Sequence, residues 1–345
     1  MDKLSVVYFH ATYAYYLAYQ HLREALSKIA NVYFYESPVM EEGMAPLYDG
    51  AELAKKHNAD AIIIGVNNTV HRAVANLDKT NVLKLMLSDD PHNWLARQTV
   101  FMNKSKIDVM LMMNYGNWHG IYTGYPIWWH YPWKLASERP VEIYGGPHEL
   151  TIADRYQRQL NYKCKFIFFP ESVNISYFRD RRYIRDIDVF NSGSFSASVY
   201  PLRCQLFEIF RNRPHIISGI KPSFAYNWED YAKIIASSKC LVEGVGIFGY
   251  TSQRFTQAMA SKTLVASSLP FDNIENHFIP DYNFIEIDPR NLKESIDKIE
   301  FYIMNDDERN KITENAYKTI QQYHTSEIRA QEMIEIIKEN LNNAK

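Results

Sequence analysis

The sequence predicts an α/β protein made of two successive halves, each with β-strands alternating with helices. Short β-branched or aromatic runs recur along the chain, and most are followed by a segment with helical spacing. The length of 345 residues exceeds one small core and favours two domains of about 150 residues each. The stretch 238–268 reads as a complete strand, glycine loop, helix and strand. Together these observations indicate parallel sheets covered by helices.

Composition narrows the functional classes. A hydrophobic content of 46% and a charged content of 23% are typical of a soluble globular protein. The formal net charge of -2 gives no global reason to bind nucleic acid or an anionic membrane. Cys164, Cys204 and Cys240 match neither a zinc-site spacing nor a disulfide framework, so we expect a reducing, cytoplasmic location. No membrane span or signal peptide is predicted.

The first half predicts five strands separated by helices, then a further helix and strand. The strands are expected at 4–9, 32–35, 61–65, 82–87, 107–112 and 166–169, and the helices at 11–29, 51–56, 70–77 and 151–160. Between them, residues 122–133 are rich in aromatic side chains. This run suits packing between domains, an acceptor platform or a lid, and its prolines exclude a regular helix.

Polar side chains follow several of these strands. His10 follows the first strand, Asp89 and Asp90 the fourth, and His119 the fifth. Ligands of open α/β sheets bind at the carboxyl ends of the strands, so these four are candidate catalytic residues. A histidine suits a general base because its pKa lies near neutrality. The two aspartates equally suit a helix or turn cap.

The second half repeats the alternation after a polar junction at 170–185. Strands are expected at 188–191, 216–218, 239–242, 264–266 and 284–287, and helices at 199–211, 228–236, 252–262, 291–304, 306–323 and 326–341. Gly244, Gly246 and Gly249 precede the helix at 252–262. Loop amides and a helix N-terminus suit a phosphate group, although an ordinary crossover with a glycine turn explains the pattern equally well.

A series of short motifs in this half resembles the group-1 (GT4-like) GT-B glycosyltransferases, and in particular their CgeB-like branch. The matching residues are Pro170, Val173-Asn174, Asp188-Val189, Gly193, Tyr200-Pro201-Leu202-Arg203, the helix and strand GYTSQRFTQAMASKTLVAS, and the closing helix YHTSEIRAQEMIEII. The resemblance covers about residues 165–337. The first half matches mainly in strand order and in Ser88–Pro91. The chain departs from the family at Gln257, which replaces a glutamate, and at Lys262, which replaces a glycine.

The resemblance implies a GT-B fold, with two Rossmann-like domains facing a cleft. It implies an acceptor domain at 1–168, a donor domain at 169–325 and a C-terminal helix at 326–345 that crosses back to the first domain. The implied activity is metal-independent transfer of a hexosyl group from a nucleotide-diphosphate sugar, with no further cofactor. The acceptor is a glycan, protein, lipid or modified base, and a homodimer is compatible with the sequence. The alternative is a non-catalytic nucleotide- or sugar-binding protein, which Gln257 and Lys262 favour.

The same resemblance and the predicted strand ends give the donor-binding candidates. They are Gly193, Ser194, Lys221, Glu243, Phe248, Gly249, Tyr250, Thr251, Arg254 and Gln257. Arg254 is expected to hold the diphosphate, Gln257 the ribose, and Glu243 the ribose or the sugar. The competing interpretations are a surface arginine, a core hydrogen bond and a loop cap, respectively. No metal site is predicted. A dinucleotide-dependent oxidoreductase is disfavoured because no glycine follows the first strand.

Overall fold

A computed structural model describes most of the chain. The described residues are 3–11, 17–38, 43–66, 68–88, 91–113, 152–197, 200–216, 218–219, 227–246, 249–270, 272–274 and 276–343. They divide into two compact units. The first contains the described residues up to 113 together with 152–172 and 326–343, and the second contains those within 173–325.

Both units are built from short strands and longer helices. The strands are β1 (Ser5–Ala11), β2 (Asn31–Ser37), β3 (Tyr48–Asp49), β4 (Ala61–Ile64), β5 (Val74–Ala75), β6 (Leu83–Ser88), β7 (Val109–Met112), β8 (Lys165–Phe168), β9 (Ile187–Phe190), β10 (Ser238–Glu243), β11 (Leu264–Ser267) and β12 (Ile285–Glu286). The helices are α1 (Leu17–Ile29), α2 (Gly50–Lys56), α3 (Asn68–Ala73), α4 (Pro91–Ser105), α5 (Ile152–Gln159), α6 (Pro201–Arg211), α7 (Trp228–Ala236), α8 (Gln253–Ala260), α9 (Leu292–Met304), α10 (Asp306–Tyr323) and α11 (Ser326–Asn343).

The first unit contains a parallel sheet of six strands in the order β2-β1-β4-β6-β7-β8. Its central strand β4 is buried along its whole length, as expected for a parallel sheet covered on both faces. The last helix, α11, belongs to this unit and packs on α1. Leu22 and Leu26 of α1 share one buried core with Met333 and Ile337 of α11.

The second unit contains a parallel sheet in the order β12-β11-β10-β9. Its core joins strand residues Val189, Cys240 and Leu264 to Leu206 and Ile299 from the covering helices. Residue 217 of the strand expected at 216–218 lies outside the described residues. The pairing there is one bridge between Val189 and Ser218, with Gly219 N donating to Val189 O at 2.8 Å.

The arginines of the predicted junction are partly structural. Arg181 donates to Glu229 at 2.7 Å. Arg185 donates to Ser238 O at 2.5 Å and to Ser261 O at 2.9 Å. These two side chains therefore stabilise the second unit. Within the described ranges, no helix has the length and apolar character to cross a membrane.

Candidate functional site

The carboxyl ends of β9 and β10 lie side by side in the second sheet, since the two strands are parallel neighbours. The polar segment 191–194 follows β9, and Glu243 is the last residue of β10. The Asn191 side-chain amide donates to Val242 O, which ties the first loop to the second strand. Gly193 has φ +128°, a conformation that favours glycine. This edge is where open α/β sheets bind ligands.

Glu243 holds together the side chains at this edge. It is 1% exposed. Its Oε1 accepts hydrogen bonds from Arg203 Nη2 at 2.8 Å and from Arg254 Nε and Nη2 at 3.0 and 2.7 Å. Its Oε2 accepts from Ser252 Oγ at 2.9 Å. Both carboxylate oxygens are therefore engaged by neighbouring side chains.

Arg203 connects this cluster to the loop after β9. It lies in the first turn of α6, is 2% exposed, and donates from Nη1 to Ser194 O at 2.9 Å. Its guanidinium also covers the ring of Tyr200, with 3.8 Å to the ring centroid. Sequence reasoning placed Arg203 in a family motif but omitted it from the site. The family motif Tyr200-Pro201-Leu202-Arg203 was the signal that could have identified Arg203 as a site residue.

The cluster carries a net positive charge. The two guanidinium groups of Arg203 and Arg254 face the single carboxylate of Glu243, which gives +2 − 1 = +1. Burial raises the pKa of Glu243, but Arg254 and Arg203 outweigh burial and hold it below its ordinary value. Burial and the charge of Arg254 lower the pKa of Arg203 to about 10. All three groups are therefore charged at neutral pH.

Arg254 is the more accessible of the two cations. Its side chain is 13% exposed, against 2% for Arg203. Burial lowers the pKa of Arg254, yet the adjacent Glu243 carboxylate raises it above its ordinary value. Arg254 stands in the first turn of α8, where backbone N–H groups and the helix dipole favour an anion. The arrangement can bind a phosphate group at this point.

The residues around Arg254 shape the start of α8. Gly249 has φ +71°. Thr251 donates from both N and Oγ1 to Asp272 Oδ1, at 2.9 and 2.7 Å, so its hydroxyl holds the loop. Gln257 is buried one turn after Arg254. The structure therefore brings Ser194, Glu243, Thr251, Arg254 and Gln257 to one edge or to the helix beside it.

Other candidates lie elsewhere or cannot be placed. Lys221, Phe248, Asp89, Asp90 and His119 lie outside the described residues.

His10 belongs to the first unit, near the carboxyl end of β1. Its Nδ1 lies 3.2 Å from Ala11 O, and in the tautomer that donates this bond Nε2 is the acceptor. Burial and the charge of Arg23 lower the pKa of His10, so the ring is neutral at neutral pH.

Residues 205–335 match the family described as glycosyl transferase-like. Three solved structures cover nearly the whole chain. A glycosyltransferase from Rickettsia africae ESF-5 has 13% identity, a TM-score of 0.59 and coverage of 99% of this chain and 100% of that one. Sucrose-phosphate synthase from Thermosynechococcus elongatus has 10% identity, a TM-score of 0.61 and coverage of 99% of this chain and 100% of that one. An alpha-glucosyltransferase in complex with UDP-glucose and DNA containing an abasic site has 11% identity, a TM-score of 0.62 and coverage of 98% of this chain and 100% of that one.

This chain has the GT-B fold of glycosyltransferases. The family match and the three structures confirm the expected resemblance to GT-B glycosyltransferases of the group-1 type. The two Rossmann-like units of the GT-B fold correspond to the six-stranded and four-stranded parallel sheets. The CgeB-like branch stays a prediction. None of the curated proteins is a significant sequence match.

Proposed function

We propose that the chain is a hexosyltransferase (EC 2.4) that moves a sugar from a nucleotide-diphosphate sugar to an acceptor. The observation that carries the proposal is the Arg203–Glu243–Arg254 cluster at the carboxyl edge of the second sheet, beside the start of α8. In this proposal the second unit binds the donor and the first unit binds the acceptor.

The chemical need is to stabilise a departing nucleoside diphosphate. Charge develops on the phosphate oxygens as the bond to the sugar breaks, and fixed positive groups lower that barrier. Arg254 supplies such a group, because Glu243 fixes its Nε and Nη2, and no residue in the described part of the chain accepts a hydrogen bond from its Nη1. This assignment needs no metal ion, because the positive charge comes from the protein. Lys221 keeps its predicted role beside it.

Glu243 acts in this proposal by positioning rather than by contact with the donor. Its oxygens already accept bonds from Arg203, Arg254 and Ser252. The ribose contact therefore goes to Gln257, whose amide can donate and accept hydrogen bonds. Gly193 lets the diphosphate approach the loop after β9. Tyr250 and Phe248 are the candidates to stack on the base.

On the acceptor side, His10 is the general base for which the structure gives support. Its ring is neutral at neutral pH, as its lowered pKa requires. Asp89, Asp90 and His119 keep their predicted roles there. Uridine diphosphate donors are the first to test, since an alpha-glucosyltransferase with this fold is seen with UDP-glucose. The acceptor class remains a glycan, protein, lipid or modified base.

The second candidate function is a binding protein without transfer activity. Gln257 favours it, because an amide at the position of the family's glutamate removes a charge from the ribose contact.

The experiment is to incubate the chain with UDP-, GDP-, ADP-, CDP- and TDP-sugars and to measure released nucleoside diphosphate, with and without an acceptor panel. If the chain transfers a sugar, one donor should release its nucleoside diphosphate, and a folded Arg254→Ala variant should not release it. The binding-protein alternative predicts thermal stabilisation by one nucleotide without release. Release that Arg254→Ala leaves unchanged would contradict the assigned donor site.

A further inference from the structure

We propose that the chain forms a homodimer in which the edge strand β2 pairs antiparallel with β2 of a second copy. The proposal is independent of the proposed sugar transfer. β2 ends the six-stranded sheet and pairs on one side with β1. No strand in the described part of the chain pairs with its other side. An open edge offers backbone N–H and C=O groups to another strand, and it is usually protected by lysine, proline or a bulge. The strand Asn31–Ser37 contains no lysine and no proline.

Large apolar side chains are exposed at this edge. Tyr33 and Phe34 have exposed fractions of 38% and 39%. Neighbouring residues of a strand point to opposite faces, so Tyr33 and Phe34 flank the edge on both sides. Tyr33 stacks on His57, with ring centroids 3.8 Å apart, and Phe34 packs against Tyr8 at 5.8 Å. Both aromatic rings are held in place, so little side-chain entropy is lost when a partner covers them.

The contacts around β2 define which part of the edge is open. At its carboxyl end, the Tyr48 hydroxyl donates to Glu36 O at 2.6 Å, and Ser37 is buried. The open segment is therefore 31–35, and its centre is Tyr33. A two-fold axis at Tyr33 sets Val32 opposite Phe34 of the partner subunit. Pairs of β-branched and aromatic residues across antiparallel strands are stabilising.

The charges at the two ends of the strand favour a second copy of the chain as the partner. Lys3 lies next to the start of β2, where its Nζ donates to Lys28 O at 3.0 Å. The exposed Glu36 stands at the other end. Antiparallel pairing about Tyr33 brings the lysine end of each copy to Glu36 of the partner subunit. Like charges would meet if the strands paired in parallel, so the edge is self-complementary only in the antiparallel arrangement.

The test is sedimentation velocity of the full chain over a range of concentrations. The wild type is expected to be a dimer that dissociates on dilution. Tyr33→Lys, which adds a charge to the centre of the edge, is expected to weaken dimerisation at least about tenfold. Phe301→Lys is the matched control, because Phe301 is 50% exposed on α9 and should leave the dimer unchanged.

Two further measurements cover the case in which Tyr33→Lys does not fold. Glu36→Lys should weaken the dimer, most strongly at low salt. Amide exchange of residues 31–35 in the wild type should slow as concentration rises. A wild type that stays monomeric at all concentrations would overturn the proposal. So would a dimer that neither folded variant weakens, or one whose 31–35 amides exchange at a concentration-independent rate.

Discussion

Glu243 is the residue on which the proposed donor site depends. One buried carboxylate fixes two guanidinium groups and one hydroxyl at the edge of the second sheet. A buried ion pair contributes little net stability, but removal of one partner leaves an uncompensated buried charge. The arrangement therefore stabilises the positions of the arginines more than it stabilises the fold.

Glu243→Gln tests this positioning role. The variant keeps the side-chain shape but leaves Arg203 and Arg254 close together without the carboxylate. We expect a loss of about 3 kcal/mol in the free energy of unfolding, measured by urea denaturation. Asp288→Asn is the control, because Asp288 pairs with Arg290 at the surface and should cost below about 1 kcal/mol. Equal losses in the two variants would contradict the role of Glu243.

The same residue gives a pH prediction. The pKa of Glu243 is lower in the folded chain than its ordinary value, because Arg254 and Arg203 outweigh burial. The contribution of ionised Glu243 to the free energy of unfolding is therefore complete above the unfolded pKa of about 4.3, and it is lost as pH falls through the folded pKa. The stability difference between wild type and Glu243→Gln should shrink below about pH 4. A difference that stays constant down to pH 3 would contradict the assigned charge.

His71 in the first unit gives a pH prediction at higher pH. Burial lowers its pKa to about 4, and its ring stacks on Phe101 with centroids 4.5 Å apart. The unfolded chain takes up a proton near pH 6.5 and the folded chain only near pH 4, so stability falls as pH drops between these values. His71→Phe should remove about 3 kcal/mol of that fall, measured by denaturation at several pH values. Equal slopes for the two proteins would refute the buried neutral ring.

Single residues show where prediction from sequence ends. Glu243 and Arg254 were identified as candidates because each lies at a predicted strand or helix end. Their partner Arg203 was not, because 40 positions separate it from Glu243. That contact depends on how α6 packs beside β10, so the family motif Tyr-Pro-Leu-Arg could have marked Arg203 as a candidate but could not have shown its partner. For the same reason, the sequence could not show that both carboxylate oxygens of Glu243 accept hydrogen bonds from neighbouring side chains, which argues against a direct ribose contact.

At the scale of elements, the residue after the C-cap of α8 has a left-handed backbone conformation without being a glycine. Lys262 follows the C-cap Ser261 with φ +55°, at the position where the family has glycine. A lysine in this conformation costs about 1 kcal/mol. In partial compensation, its ammonium pairs with Glu314 and lies 5.2 Å from the ring centroid of Tyr317. The change from the family pattern thus has a structural explanation at the end of the helix, away from Arg254 at its start.

Lys262→Gly tests whether this departure affects function. Relief of backbone strain and loss of the ion pair should nearly cancel, so we expect a stability change within about 1 kcal/mol and unchanged donor turnover. Lys262→Ala is the control, because it keeps the strain and loses the ion pair, and should be less stable than Lys262→Gly. A large gain in turnover with glycine would show instead that Lys262 limits activity.

Arg185 joins three elements of the second unit. It donates to Ser238 O at the start of β10, to Ser261 O after α8, and to Thr263 Oγ1 before β11, at 2.5, 2.9 and 2.9 Å. Arg185→Lys keeps the charge but loses the planar fork, so we expect a loss of about 2 kcal/mol by urea denaturation. Arg211→Lys, at an exposed position, should change little. A neutral effect of Arg185→Lys would mean that these bonds contribute nothing.

At the scale of the whole molecule, the alternation of strands and helices predicted the two larger parallel sheets, but not the two-stranded sheet of β3 and β5. Helices α7 and α10 were predicted with the bounds that the structure gives, because each has apolar residues at helical spacing and acidic residues in its first turn. The order of the strands across each sheet could not be predicted from the residues. β1 lies between β2 and β4, and nothing in a run of apolar residues states which neighbour it pairs with.

The central claim is that the edge of the second sheet binds a nucleoside diphosphate through Arg254. Isothermal titration of UDP, GDP, ADP, CDP and TDP against the wild type, Arg254→Ala and Arg290→Ala tests it most directly. Arg290 is the control because it pairs with Asp288 at the surface of the same unit. We predict that one nucleotide binds the wild type and Arg290→Ala equally, and binds folded Arg254→Ala about 10- to 100-fold more weakly, the loss of a hydrogen bond to a charged group. Equal affinity for all three proteins would contradict the claim.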